Sequence, residues 1–161
     1  MRLKVLLSGV ALLGGFADED VEISGISYDT RTIQPGELFV ALTGYKTDGH
    51  RFLREAVKKG AAAVICHKAP EEPGPWLIAP DTRAALAAVS ANWFGRPADA
   101  LTVIGVTGTN GKTTTTYLLK AMLEGVLGAK VGLMGTNQNM IGEKVIPAHR
   151  TTPESWEVQK L

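Results

Sequence analysis

The sequence is poor in the features that mark most specialised protein classes. Only one of its 161 residues is cysteine, Cys66, so no internal disulfide can form and a disulfide-stapled secreted domain is excluded. Neither charge sign is in excess: 17 Lys and Arg against 16 Asp and Glu leave a net charge of +1. That is too little for the electrostatic footprint of a nucleic-acid binder, so no nucleic-acid partner is expected and any polyanion must be met locally. Aromatic residues make up 6%, and Trp76, Trp93 and Trp156 are too scattered for a base-stacking platform, which places them in the core or at domain contacts. No apolar run approaches the roughly 18 residues of a membrane helix, and no membrane partner is expected. Repeats and low-complexity tracts are absent. What is present is ordinary globular composition, 45% hydrophobic and 20% charged, long enough to bury a core.

The opening MRLKVLLSGVALLGGFADED admits two readings. Arg2 and Lys4 before the apolar stretch Val5–Leu13, with Gly15-Phe16-Ala17 behind it, resemble an export leader. The spacing of Leu3, Leu6, Leu7 and Val10 instead fits a short amphipathic helix ending near Gly14-Gly15. The helix is preferred, because the phosphate-binding loop described below needs cytosolic nucleotide, and a cytoplasmic location is expected.

From Val21 the pattern reads as two short strands, VEISGISYD and ELFVAL, joined through the Pro35-Gly36 turn. Phe52, Leu53, Ala56 and Val57 mark a helix that Gly60 stops. AAAVICH is a continuous apolar run of the buried-strand kind, PEEPGP a loop and WLIA another strand. Asp81-Thr82 opens a helix that closes at Gly95 before Pro97. The punctuation at Gly95–Asp99 suggests a domain boundary, giving domains over 1–97 and 98–161. After it come a strand at Leu101–Val106, a Gly-rich loop, a helix at Lys112–Gly125 and a strand at Lys130–Met134, a βαβ series expected to join a parallel sheet by a right-handed crossover. GTNQNMIGEKVIPAH reads as a loop or hairpin, and PESWEVQKL starts a helix. The second series has too few strands to close a sheet, so the chain reads as truncated.

The segment Gly105-Val106-Thr107-Gly108-Thr109-Asn110-Gly111-Lys112-Thr113 lies between an expected buried strand and an expected helix, the setting of a phosphate-binding loop. Glycines let backbone N–H groups converge on phosphate oxygens and the helix N-terminus adds its positive dipole end. Lys112 can reach the β/γ-phosphates, and the Thr113 hydroxyl can ligate Mg²⁺. The loop is a variant, because Val106 stands where the general pattern has its first glycine. The bland alternative is a Gly-rich turn with a solvated lysine; Gly-Lys-Thr at a helix start after an apolar strand favours nucleotide. Thr114 is divided between phosphate contact and helix capping, and Thr115 and Thr116 read as structural.

GVTGTNGKTTTT, then KVGLMGTNQNMIG, then HRTTPES, in this order, closely resemble the ATP-binding segment of the Mur ligases of peptidoglycan synthesis. SYDTRTIQPGELFVALTGYKTDGHRFLREAVKKGAAAVI resembles the uridine-nucleotide-binding domain that precedes it in that family. The resemblance implies an α/β fold: a small N-terminal α/β uridine-nucleotide-binding domain over 1–97, followed over 98–161 by the incomplete start of a P-loop-type parallel-sheet ATP-binding domain. It further implies an ATP-dependent amide ligation through an acyl phosphate, adding a diamino acid, meso-diaminopimelate or L-lysine, to UDP-MurNAc-L-Ala-D-Glu. A monomer is expected, with these small molecules as its partners and ATP and Mg²⁺ as cofactors. By position, Tyr28 and Thr30 with Tyr45, Lys46 and Thr47 fall to the UDP-sugar end of the substrate. Thr107, Gly108, Thr109, Asn110, Gly111, Lys112 and Thr113, with Thr114 beside them, fall to ATP. Lys112 takes the catalytic role and Thr113 the metal, while Thr151 and Thr152 would touch the muramoyl peptide and Arg150 is a weaker candidate. The D-Ala-D-Ala-adding ligases are the nearest alternative, and GTNGKTTTT and TTPES favour the diamino-acid ligases. Folate polyglutamate synthetases share the loop but lack the uridine-binding domain. Two further alternatives are a non-catalytic UDP-sugar-binding module and an unrelated P-loop NTPase.

Plainer readings stand beside these. Asp29 and Arg31 suit a local turn-stabilising pair as well as ligand contacts. Asp48-Gly49 is a turn, and Thr151-x-x-Glu154 with Pro153 fits a capping box as well as a site. His50, His67 and His149 show no metal spacing, and Cys66 fits a small buried hydrophobe.

Overall fold

The apolar run Ala61–His67 forms a strand at Ala63–Cys66 (β4), every residue of it buried. It is the middle strand of a five-stranded sheet in the computed structural model, which describes residues 1–44, 47–147 and 152–161. β4 pairs in parallel with Leu38–Val40 (β3) on one side and Trp76–Ile78 (β5) on the other, with Phe39 opposite Val64 and Ile65 opposite Leu77. β3 pairs in parallel with Ile26–Ser27 (β2). Gly14–Gly15 (β1) closes the far edge antiparallel to β5, giving the order β1-β5-β4-β3-β2. By contact clustering the chain divides into two units, Met1–Ala100 with Gln159–Leu161, and Leu101–Val158.

Strands buried on both faces need cover on both, and the residue alternation supplies it. Phe39, Val64, Cys66 and Trp76 share one cluster with Leu53 and Ala56 of the helix Leu53–Lys58 (α2). Leu38, Val40 and Ile65, fully buried, alternate to the other face, where Thr82–Trp93 (α3) packs against β3 and β4 through a helix whose Ala85, Leu86 and Val89 are buried. Asp81 caps α3, its carboxylate accepting from the N–H groups of Arg83 and Ala84. The Cys66 side chain is wholly enclosed, and burial pushes its thiol up to about 11.

The N-terminal helix is only Leu3–Leu6 (α1), shorter than the run to Val10 that periodicity suggests, and Leu3 and Leu6 are fully buried. Gly9, with φ 73°, turns the chain out of the helix, and a tertiary contact holds the end. Asn92 on α3 donates from Nδ2 to the carbonyls of Leu6 at 2.9 Å and Ser8 at 2.8 Å, occupying acceptors that a continuing helix would use itself. The chain then reaches Gly14–Gly15, which serves as a sheet-edge strand rather than a helix stop.

In the second unit the helix Lys112–Leu127 (α4) runs two residues past the expected Gly125 and stops at Gly128, whose φ of 61° is the left-handed cap conformation. Gly132–Leu133 (β6), Gln138–Ile141 (β7) and Lys144–Pro147 (β8) form an antiparallel sheet, the last two as a hairpin. Two expectations are corrected. No strand forms at Leu101–Val106 among the described residues, and Leu101, Val103 and Ile104 are 68, 74 and 55% exposed. An extended run becomes a strand only when a neighbour accepts its hydrogen bonds, and among the described residues β6 pairs with β7 alone, its other edge left without a partner strand. Leu118, Met122 and Val126 leave one side of α4 exposed. The terminal helix Ser155–Lys160 (α5) starts two residues after Pro153, so Pro153 is not its first residue. Among the described residues no helix is long and apolar enough to cross a membrane.

Asn92 carries two hydrogen bonds that span 84 and 86 residues of chain. Asn92→Ala is expected to lower unfolding free energy by about 1–2 kcal/mol in urea denaturation, and an unchanged midpoint would show that α1 does not depend on it.

Candidate functional site

All four parallel strands end on the same edge of the first sheet, where open α/β sheets present their ligand crevices. Tyr28 and Thr30 follow β2, Thr43 and Thr47 follow β3, His67 follows β4 and Asp81 follows β5. The expected substrate residues Tyr28, Thr30 and Thr47 are thus gathered on one edge, half-buried, buried and exposed respectively. Tyr45 and Lys46 lie outside the described residues.

The loop after β2 is tied to itself. The Asp29 carboxylate accepts from the Arg31 N–H at 2.9 Å and takes the Arg31 guanidinium through Nε and Nη2. That guanidinium holds the Asp29 carboxyl below its ordinary range. The Asp29 carbonyl accepts from the Ser27 hydroxyl and from both the N–H and hydroxyl of Thr32. Asp29 and Arg31 are therefore a turn-stabilising pair.

After β3 the chain makes a narrow return. Gly44 N–H donates to the Thr47 carbonyl at 3.1 Å, Thr43 bridges Asp48, and Gly49 N–H donates to the Leu42 carbonyl. Arg83, at the start of α3, donates from Nη2 to the Thr43 carbonyl. Asp48 accepts from both the backbone N–H and the Nδ1 of His50, at 3.0 and 2.7 Å. The His67 N–H donates to His50 Nε2 at 3.0 Å. Because an N–H can only donate, Nε2 is the acceptor of that ring and the proton resides on Nδ1, facing Asp48. The two imidazoles stack with centroids 4.9 Å apart and planes 10° apart. They wall an open cleft of about 490 Å³ that Arg51, Arg54 and Lys68 also line. Sequence reading found no metal spacing among the histidines and could not pair His50 with His67, since no local signal joins residues brought together by β3–β4 register.

The phosphate-loop candidates belong to the second unit and are contiguous. Gly111, the N-cap of α4, has φ 77° and ψ −8°, a left-handed conformation that favours glycine. It brings no side-chain cap to the first turn, so those N–H groups are open to an anion at the end of a 16-residue helix. Lys112 folds back over the loop, its ammonium donating to the Gly108 carbonyl at 2.5 Å. Lys112 and Thr113 are half-buried, and Thr107, Gly108, Thr109, Asn110 and Thr114 are exposed. The Thr116 hydroxyl donates to the Thr113 carbonyl at 2.9 Å, a back-bond within the helix. These features fit a nucleotide polyphosphate: uncapped amides, a lysine already over the loop and a threonine hydroxyl beside it. Thr152 is exposed ahead of α5, while Thr151, like Arg150 and His149, falls outside the described residues. Among the described residues no three His, Cys, Asp or Glu side chains are grouped to hold a metal.

Comparison with known proteins gives two family matches: "Mur ligase family, catalytic domain" over residues 22–94 and "Mur ligase middle domain" over residues 106–161. A UDP-N-acetylmuramoyl-L-alanyl-D-glutamate--2,6-diaminopimelate ligase of Caldanaerobacter subterraneus subsp. tengcongensis is 48% identical over 165 residues, covering 100% of this chain and 33% of the relative. A like-named ligase of Clostridium acetobutylicum is 46% identical, covering 100% of this chain and 34% of the relative. Among solved structures, one titled as a UDP-N-acetylmuramoyl-L-alanyl-D-glutamate--2,6-diaminopimelate ligase superposes with TM-score 0.73 at 28% identity over 99% of this chain and 32% of that one. A UDP-N-acetylmuramoylalanyl-D-glutamyl-2,6-diaminopimelate--D-alanyl-D-alanyl ligase from Acinetobacter baumannii gives TM-score 0.54 at 29% identity over 78% of this chain and 28% of that one. The chain spans about a third of the length of the curated relatives it matches.

The His50 N–H and imidazole hold the Asp48 carboxyl below its ordinary range. A depressed carboxyl stabilises the fold above its unfolded value and loses that contribution as pH falls through the folded one. A carbon-detected NMR titration is expected to place the Asp48 midpoint below that of a free aspartate, about 3.9. Asp48→Asn is expected to flatten the fall of stability below about pH 4. An ordinary Asp48 midpoint would mean the His50 contact does not persist in solution.

Proposed function

The chain belongs to the Mur ligase family, and on that premise we propose that it is part of an ATP-dependent ligase that joins 2,6-diaminopimelate to UDP-MurNAc-L-Ala-D-Glu in the cytoplasm. The reading rests most on one observation. The whole chain aligns at 48% identity with a relative named for that reaction, and it holds in order the two parts such a reaction needs. One is a sheet edge carrying Tyr28, Thr30 and Thr47, and the other is a Gly-Lys-Thr helix start.

In this reading the first unit anchors the substrate by its UDP-sugar end through Tyr28, Thr30, Tyr45, Lys46 and Thr47. Thr151 and Thr152 meet the peptide end. The amides of Thr107 to Thr113 and the Lys112 ammonium hold the phosphates of ATP, with the Thr114 hydroxyl beside them, and the Thr113 hydroxyl offers an oxygen to Mg²⁺. Bound ATP supplies the phosphoryl group that makes the D-glutamate carboxylate an electrophile toward the incoming amine. Lys112 carries the charge role: its ammonium moves from the Gly108 carbonyl to the phosphate oxygens, where it offsets the charge that builds during transfer.

Calorimetric titration of this chain tests the reading. UDP-MurNAc-L-Ala-D-Glu and Mg-ATP are each expected to bind. Lys112→Met is expected to weaken Mg-ATP by about tenfold or more, the loss of one charge-assisted contact, and to leave the muramoyl nucleotide unaffected. Binding of the muramoyl nucleotide without Mg-ATP would mark a sugar-nucleotide-binding module instead. Binding of neither by folded chain would overturn the assignment.

A further inference from the structure

The bonds within the Ser27–Thr32 loop converge on Asp29, and Thr30 is held from elsewhere. Lys59, just past α2 and 29 residues away, donates from Nζ to the Thr30 carbonyl at 2.7 Å. The same ammonium is held at 2.8 Å by Glu55 Oε1, one helical turn earlier. Lys59 keeps the Glu55 carboxyl below its ordinary range, and the Thr30 hydroxyl contributes in the same direction. Thr30 itself is only 7% exposed.

The element that presents Lys59 is fixed at both ends. Leu53 and Ala56 are buried in the sheet cluster, and just after the helix the Gly60 carbonyl accepts from Gly36 N–H at 2.8 Å. Lys59 and Glu55 are both more than two-fifths exposed, at 43 and 42%. An ion pair so exposed adds little to fold stability. A charge-assisted bond from a rigid helix to a loop carbonyl does something else: it restricts that loop to one arrangement before a ligand arrives.

We propose that Lys59, held by Glu55, is a positioning residue for the substrate edge. Its ammonium fixes the Thr30 carbonyl while the Glu55 carboxylate accepts from the Thr30 hydroxyl, and together they preset the Thr30 hydroxyl oxygen and the neighbouring Tyr28 for the UDP-sugar. The proposal rests on the reading of Thr30 as a substrate contact. It assigns to α2 a part in binding that neither the loop motif nor any contact with the substrate implies.

The experiment uses the 161-residue chain and UDP-MurNAc-L-Ala-D-Glu as the probe. Lys59→Met keeps the apolar stem and removes the ammonium; it is expected to weaken binding about tenfold while the thermal midpoint stays that of the parent. Lys59→Arg is expected to restore most of the affinity, and Glu55→Gln to give a smaller loss. Without ligand, amide exchange at Arg31 and Thr32 is expected to quicken in Lys59→Met while exchange in β3 and β4 does not change. Parent-like affinity in Lys59→Met, with a parent that binds, overturns the positioning role alone. A folded parent that does not bind overturns the substrate reading, and the positioning role with it.

Discussion

The first unit depends on one constraint: four strands run in the same direction and are buried on both faces. A parallel ladder cannot be closed by tight hairpins, so each return needs a crossover; the one between β3 and β4 carries α2, and the chain leaving β5 supplies α3. With α2 on one face and α3 on the other, neither face is left for chemistry. The strand exits are left, and parallelism puts them all on one edge. Tyr28, Thr30, Thr47, His67 and Asp81 meet there because of direction and register, although they are spread over more than fifty positions of sequence.

The second unit solves a different problem with fewer residues. A loop of glycines and threonines leads into a helix whose first residue is lysine, and the left-handed Gly111 turns the chain so that the first-turn amides face outward uncapped. The features proposed to meet phosphate are all local there, so sequence alone could place them. Those on the sheet edge are non-local.

That difference decides what could be read in advance. The buried strand Ala63–Cys66, the Asp81 start of α3, the hairpin after Thr136 and the Lys112 start of α4 each carry their own signal: an apolar stretch, a capping carboxylate, turn residues, a Gly-Lys pair. Three features carried none or a misleading one. Leu101–Val106 has strand composition but no hydrogen-bonding neighbour among the described residues. Gly14–Gly15 resembled a helix stop and became an edge strand, because β5 offered an open ladder. Lys59 carries no local signal, and only the path of the sheet brings it to Thr30, 29 residues away. The expected phosphate-loop residues came from the Gly-Lys-Thr pattern between a strand and a helix, whereas the expected sugar-end and peptide-end residues came from family resemblance alone.

The imidazole of His50 is a crossbar between two strand exits, accepting from the His67 amide at one nitrogen and donating to the Asp48 carboxylate at the other. A side chain in this place must be neutral, two-ended and about one ring wide. An arginine or lysine could keep the carboxylate but would set a donor against the His67 N–H, leaving that amide to water and the two exits free to part. Position 50 is thus a link whose polarity has a direction, donor toward the β3 exit and acceptor toward the β4 exit.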